Sequence, residues 1–298
     1  MKSIARRTFL AQTGLLAAAA CDDPFSHVAG AHAARQRRAN MSLGLCTYLW
    51  GQDWDLPTVI ANCEKSGCLG VELRTQHKHG VEASLTMRQR KEVRQRFADS
   101  DVEFLGPGCN WQFHDPDPKK LQANIDGAKA YIKLSHDCGG TGVKVKPNTL
   151  PAGVPEAKTI EQIGKSLNEL ARFGADYGQQ VRVEVHGKHT QQLPVIKKIF
   201  DVAKHPNATV CWNSNPEDLA GEGLEHNFQL VRDRFGATVH IREMNVGDYP
   251  YRDLIRLLVQ SEYSGWVLLE CRTHPKDRVA AMIEQRRIFD KFVKAAAA

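Results

Sequence analysis

The chain carries acidic and imidazole side chains at the ends of several short β-branched segments, where they could bind a metal or transfer protons. Residues 181–187, V-R-V-E-V-H-G, place Glu184 and His186 two positions apart, just before the glycine. Because residues i and i+2 of a strand project from the same face, this carboxylate and this imidazole are predicted to lie side by side. Such a pair suits metal binding or general acid–base chemistry.

Five further segments show the same alternation of apolar and polar residues. They are V-E-L-R at 71–74, V-K-V-K at 143–146, V-C-W-N at 210–213, V-H-I-R at 239–242 and L-E-C-R at 269–272. Their polar members Asn213, His240 and Glu270 are predicted to converge with Glu184. Two carboxylates, an imidazole and an amide oxygen suit one divalent ion such as Mn²⁺, Mg²⁺ or Zn²⁺. Since unpaired buried charge is costly, we expect a metal, a polar ligand or both, whereas Glu72 equally suits an internal ion pair.

Eight strand-like segments alternate with eight helix-like segments from residue 42 onward. Pro57 stands in the first turn of the first helix, Gly67 ends it, and Ser84 is predicted to cap the second. This alternation implies parallel strands joined by crossover helices, and eight units in about 250 residues fit a (β/α)8 barrel of the α/β class. The G-x-G-x-x-G signature of a doubly wound dinucleotide fold is absent after the first strand. We therefore predict a single barrel domain over residues 42–294 and a disordered tail at 295–298.

Composition and charge limit which classes of molecule the protein is expected to bind. The 298 residues are 42% hydrophobic and 25% charged, which is ordinary for a globular protein. The formal charge of +6 is concentrated in the first forty residues, so the predicted barrel is nearly neutral. No nucleic-acid partner is expected from such a charge distribution. The eight scattered cysteines form no C-x-x-C pair and are expected to be buried free thiols.

The first forty residues are typical of an export signal. Arg6 and Arg7 precede an apolar stretch, which resembles the twin-arginine signal, and A-H-A at 31–33 fits a cleavage site. We predict a signal peptide at 1–33, a flexible linker at 34–41 and a periplasmic or otherwise exported protein. Association with the inner membrane, through an uncleaved signal or lipidation of Cys21, is the alternative. No later run approaches the roughly 20 apolar residues of a transmembrane helix, so none is expected after signal removal.

Several of these strand ends resemble the xylose isomerase-like barrel superfamily of sugar isomerases and epimerases. The resemblance rests on the series E-V-H-G, C-W-N-S-N, V-H-I-R-E and L-L-E-C-R, and on V-E-L-R-T with two histidines after it. It covers most of residues 42–294 and lies in the order and spacing of short motifs. It implies a (β/α)8 fold and one divalent metal at the barrel mouth. The ligands that it implies are Glu184, Asn213, His240 and Glu270.

One departure from the family pattern affects the implied metal site. Relatives usually have an aspartate at the position of Asn213, and often a histidine shortly after it, where this chain has Asn215 and Pro216. An asparagine still offers a carbonyl oxygen, but it removes one negative charge. The resemblance therefore implies a metal site of lowered affinity.

The chemistry implied by the resemblance is proton removal from a carbon beside a carbonyl or hydroxyl of a free or oxidised sugar. Glu184 and Glu270 would act on the two faces of the sugar, one removing and the other returning the proton, with His186 as a further catalytic contact. Trp50 is expected either to stack on the sugar or to pack in the core. The expected substrate contacts are Lys146, Arg242, Arg272, Trp50 and His79.

Three alternatives remain beside a metal-dependent isomerase or epimerase. Proton removal next to the ketone of a 3-keto-glycoside would lead to β-elimination, which makes a lyase. A barrel with a weakened metal site would bind a sugar without catalysis. The zinc-dependent apurinic-site endonucleases of the same superfamily are disfavoured because the barrel lacks a basic surface charge. A homo-oligomer is compatible with the sequence.

Overall fold

The structure, a computed structural model, describes residues 41–298. The predicted signal peptide at 1–33 and the linker, apart from Met41, lie outside the described residues. Export, cleavage and lipidation of Cys21 therefore stay predictions. Within the described part, no helix has both the length and the apolar character that crossing a bilayer requires.

Eight parallel strands form a barrel, which confirms the predicted (β/α)8 fold. The strands are β1 (Ser42–Cys46), β2 (Gly70–Arg74), β3 (Glu103–Gln112), β4 (Gly142–Lys146), β5 (Gln180–Glu184), β6 (Ala208–Cys211), β7 (Thr238–Ile241) and β8 (Trp266–Leu269). Their order is β6-β5-β4-β3-β2-β1-β8-β7. Parallel bridges between Val210 and Phe235 and between Asn213 and His240 link the two end strands. All eight carboxyl ends therefore surround one mouth, where barrel active sites lie.

Eight α-helices follow the strands in turn. They are α1 (Leu56–Ser66), α2 (Met87–Ala98), α3 (Pro118–Asp137), α4 (Glu156–Ala175), α5 (Leu193–Val202), α6 (Gly223–Val231), α7 (Tyr251–Gln260) and α8 (Arg278–Ala296). As predicted, Gly67 ends α1 in the left-handed conformation, with a φ of 71°. The cap of α2 was predicted wrongly, because Thr86 rather than Ser84 exchanges side-chain hydrogen bonds with Gln89 in a capping box. The helix α8 also extends two residues into the predicted tail.

Alternation along the strands separates an apolar outer layer from a polar lumen. Val143 and Val145 of β4 are buried in the main core, which lies between strands and helices, and Lys144 between them faces the lumen. Full burial of each such aliphatic side chain contributes about 1.5–3 kcal/mol to stability. The lumen has a small apolar cluster of its own, made of Cys46, Leu105 and Leu268. The polar lumen residues are therefore held by a well-packed shell.

Candidate active site

The carboxyl ends of the strands bring three of the predicted ligands together at the barrel mouth. One ligand atom each of Glu184, His240 and Glu270 lies within 4.8 Å of the others, and all three side chains are buried. Glu184 ends β5, His240 is in β7, and Glu270 directly follows β8. Convergence of these residues from separate strands is what the barrel geometry produces.

Asn213 joins this group from the segment after β6. Its amide nitrogen donates a hydrogen bond to Glu184 Oε1 over 3.0 Å, and its Oδ1 is buried without a hydrogen-bond partner. His240 Nδ1 is likewise without a hydrogen-bond partner and lies 3.9 Å from Glu270 Oε2. A buried amide oxygen and a buried ring nitrogen beside two carboxylates fit the donor set of a divalent cation, to which His240 would bind in its neutral form. The four expected ligands therefore fit a metal as a donor set.

Glu72 of β2 supports the histidine from deeper in the lumen. His240 Nε2 lies 3.3 Å from Glu72 Oε2, which directs the other ring nitrogen toward Glu270. A carboxylate behind a metal-binding histidine fixes its tautomer and ring orientation. Burial alone would raise the pKa of Glu72, but the charge and hydrogen bond of His240 outweigh it, so this pKa is lowered.

Lys144 of β4 neutralises Glu184. Its Nζ lies 2.5 Å from Glu184 Oε2, and both side chains are fully buried. Burial raises the pKa of Glu184, but the positive charges of Lys144 and Lys146 outweigh this effect and hold the pKa well below its usual value. The carboxylate is therefore ionised, and a metal must compete with an ammonium group for one of its oxygens.

The buried cluster is close to electrically neutral without any added ion. Arg74 Nη1 lies 3.7 Å from Glu270 Oε1, and this pairs the last of the carboxylates with a cation. Three carboxylates thus face three basic side chains, namely Glu72, Glu184 and Glu270 against Arg74, Lys144 and His240. This balance explains how so many ionisable groups are tolerated in the lumen.

His186 and Lys146 lie on the edge of the cluster, as their spacing from Glu184 and Lys144 predicts. Burial lowers the pKa of His186 to about 4, although Glu184 opposes the shift, so the imidazole is neutral near pH 7. His186 Nδ1 is buried without a hydrogen-bond partner. Burial also lowers the pKa of Lys146. A neutral imidazole and a half-buried ammonium are suited to contact a polar substrate.

Two of the expected substrate contacts, Trp50 and His79, form hydrogen bonds within the protein. Trp50 is 2% exposed, and its Nε1 donates to the carbonyl oxygen of Thr273 over 3.0 Å, so of its two expected roles it fits packing. Both ring nitrogens of His79 bond to backbone atoms, one to the carbonyl oxygen of Arg74 and the other to the N–H of Val81. His79 therefore stabilises the loop after β2, and its contact with a sugar stays a prediction.

Arg242 and Arg272 lie beyond the metal-site residues, at a cavity of about 490 Å³. Arg242 is half-buried and Arg272 is exposed. Both are therefore placed to contact a ligand that extends out of the mouth.

Sequence reasoning did not assign roles to Lys144 or Glu243. The pattern V-K-V-K indicates that Lys144 faces the lumen, because Lys144 lies on the same strand face as Lys146. Glu243 follows V-H-I-R directly, and its carboxylate accepts hydrogen bonds from the backbone N–H groups of Arg272 and Thr273. It thereby fixes the loop after Glu270, a role that no local pattern indicates.

Comparisons with known proteins agree with this fold. A sequence profile of the xylose isomerase-like TIM barrel family matches residues 60–292. No curated protein sequence gives a significant match.

Solved structures with the same fold include sugar epimerases. A 3-keto-D-glucoside 4-epimerase from E. coli is 13% identical, with a TM-score of 0.70 over 84% of this chain and 99% of the other. An L-ribulose 3-epimerase is 13% identical, with a TM-score of 0.73 over 86% and 95%. The IOLI protein with a bound zinc atom is 14% identical, with a TM-score of 0.69 over 86% and 98%.

The profile match spans most of the chain, and the eight-stranded barrel agrees with it. The chain belongs to the xylose isomerase-like TIM barrel family.

Proposed function

We propose that this protein is a metal-dependent sugar isomerase or epimerase that works by proton abstraction next to a carbonyl. The observation that carries the proposal is the convergence of Glu184, His240 and Glu270 at the barrel mouth, with ligand atoms within 4.8 Å of one another. The family membership and the sugar epimerases among proteins of this fold support it.

The residues of the chain divide into base, acid and binding groups. Glu184 is ionised beside Lys144 and can accept a proton from the carbon next to the substrate carbonyl. Glu270 approaches from the end of β8 and can return a proton from another direction. His186, which is neutral near pH 7, can exchange protons with substrate hydroxyls.

A divalent ion, when bound, would supply Lewis-acid polarisation of the substrate oxygens. Glu184, Asn213, His240 and Glu270 would bind it, and Glu72 would orient His240. Lys144 and Lys146 add positive charge beside Glu184, which favours an enediolate over the neutral sugar.

A solvent-exchange screen tests the proposal. The protein, loaded separately with Mn²⁺, Mg²⁺ and Zn²⁺, is incubated in D₂O with free ketoses, aldoses and 3-keto-glycosides, and NMR follows the loss of carbon-bound protons. We expect exchange next to the carbonyl of at least one sugar. If none exchanges while metal and sugar both bind, the barrel is a binding protein and the proposal is wrong.

The same screen separates an epimerase from a lyase. With a 3-keto-glycoside, epimerisation gives a new sugar signal with the aglycone still attached. β-Elimination instead releases the aglycone and leaves an unsaturated sugar. The presence of a 3-keto-D-glucoside 4-epimerase among proteins of this fold is the reason to include these substrates.

A further inference from the structure

A cavity of about 490 Å³ is lined by Arg242 and Arg272, which are close in sequence to two of the proposed metal ligands. Arg242 follows His240 by two positions, and Arg272 follows Glu270 by two positions. Two residues of extended chain span about 6–7 Å, so the backbone of each arginine lies about that far from a proposed metal ligand. Its volume is within the range of roughly 300–1,000 Å³ that is usual for small-molecule sites.

The walls of this cavity are largely apolar. Leu219, in the 3₁₀ turn Pro216–Leu219 that follows β6, is 41% exposed, and Val246, in the loop after β7, is 52% exposed. They are two of only four large apolar side chains that are exposed within residues 41–298. The rings of Tyr249 and Tyr251 lie 4.7 Å apart, and both line the same cavity. Exposed apolar side chains that line one cavity are suited to cover a bound group.

Two guanidinium groups in this cavity have no ion-pair partner among the described residues. Arg242 Nε is buried without a hydrogen-bond partner, and its Nη2 contacts only Asn215 Oδ1, at 3.5 Å. Of the two carboxylates that line the cavity, Glu243 is bonded to the backbone after Glu270, and Asp248 is exposed at the rim. The arginines are therefore available to an anionic or oxygen-rich ligand.

We propose that this cavity binds the aglycone of a glycoside, and that the aglycone is an aromatic group with an anionic substituent. Tyr249, Leu219 and Val246 would cover its ring, and the buried Tyr251 packs against Tyr249. Arg242 and Arg272 would pair with its charge, since guanidinium groups both stack on rings and bind carboxylates. The sugar of the same molecule would lie at Glu184 and Glu270. This inference rests on the proposed function, and it narrows the substrate from sugars in general to aryl glycosides.

The test compares three 3-keto-glucosides that differ only in the aglycone, which is methyl, phenyl or 4-carboxyphenyl. Their dissociation constants for the full chain are measured by titration calorimetry. We expect the phenyl compound to bind about tenfold tighter than the methyl compound, and the 4-carboxyphenyl compound about fivefold tighter again.

Substitutions in the cavity test whether these differences in affinity arise there. The double substitution Leu219→Asn with Val246→Asn should remove most of the phenyl advantage and leave the methyl affinity within about twofold, because both residues are exposed and neither is a candidate metal ligand. Arg272→Gln should remove the further gain from the carboxylate. Arg252→Gln, which changes an exposed arginine on α7 outside this cavity, is the matched control.

Equal affinities for the three glycosides would overturn the inference, as would a double substitution that weakens all three alike. Self-association of the native chain that the double substitution abolishes would also overturn it, because the cavity would then contact a second copy. Failure of the proposed function is distinguishable from these outcomes. In that case the glycosides still differ in affinity, but none exchanges protons with solvent.

Discussion

Lys144 forms an ion pair with Glu184 at the place where a metal ion is expected to bind. Its ammonium group and the amide of Asn213 together occupy both oxygens of Glu184. The affinity for a metal should therefore depend on these two residues as much as on the ligands themselves.

Replacement of Lys144 by methionine should raise the affinity for Mn²⁺ about tenfold, because it removes a positive charge 2.5 Å from a ligand oxygen. The metal-free protein should lose about 3–5 kcal/mol of unfolding free energy, since Glu184 is left buried without its partner. Competition with a chelating dye measures the affinity, and urea unfolding measures the stability. Lys146→Met, on the same strand face but only half-buried, is the control and should change both values less. An unchanged affinity in Lys144→Met would mean that the lysine does not compete with the metal.

The substitution Asn213→Asp introduces the aspartate that the family resemblance implies at this position. It adds a negative charge next to Glu184, so metal affinity should rise by about tenfold or more. It also replaces the hydrogen bond to Glu184 with repulsion, so the metal-free protein should unfold at a lower urea concentration. Metal analysis after dialysis measures the first effect. Metal retention no greater than in the native chain would show that Asn213 lies outside the coordination sphere.

Among the elements around the barrel mouth, the turn Pro216–Leu219 after β6 is hydrogen-bonded to the loop after β7. Asp218 of this turn accepts a hydrogen bond from Tyr249 Oη over 2.6 Å and one from the N–H of Asn215 over 2.9 Å. Burial raises the pKa of Asp218 to about 7 against the effect of these bonds. We therefore expect this turn to respond to pH.

The raised pKa of Asp218 predicts how stability depends on pH. The folded protein retains a proton that the unfolded chain releases above the ordinary value of 3.8, so the contribution of Asp218 to the unfolding free energy should fall as pH rises toward 7. The loss is on the order of 1.4 kcal/mol for each unit between the two pKa values. Asp218→Asn should flatten this dependence in urea unfolding at pH 5 and pH 8. Asp248→Asn, at an exposed carboxyl of the same loop cluster, should follow the native protein; an equal slope in Asp218→Asn would contradict the assignment.

Short patterns predicted most elements because each is set by neighbouring residues. Pro57 and Gly67 marked the ends of α1 correctly. Thr86 was missed because two residues near the start of α2 could cap it, and only Thr86 has Gln89 three positions later to complete the exchange of hydrogen bonds. Local sequence signals thus predict that a helix is present more reliably than they predict the residue at which it begins.

At the scale of the whole molecule, the barrel follows from the β/α rhythm, and the convergence of Glu184, His240 and Glu270 follows from the barrel. The hydrogen-bond partners of individual side chains depend on residues that are distant in sequence, so the β/α rhythm does not predict them. His79 is bonded to backbone, and Trp50 contacts the carbonyl oxygen of Thr273, 223 positions along the chain. No local pattern carries information on such contacts.

The proposed function depends on Glu184 as the base that removes a carbon-bound proton of a sugar. It is tested most directly by the rate of solvent deuterium incorporation into a sugar that the native protein exchanges, compared with the rates for Glu184→Gln and Glu270→Gln at saturating metal and sugar. We expect Glu184→Gln to lower the rate by at least about a hundredfold. Glu270→Gln should still incorporate deuterium while it fails to form the epimer. Exchange at the native rate in Glu184→Gln, with metal and sugar still bound, would contradict the account.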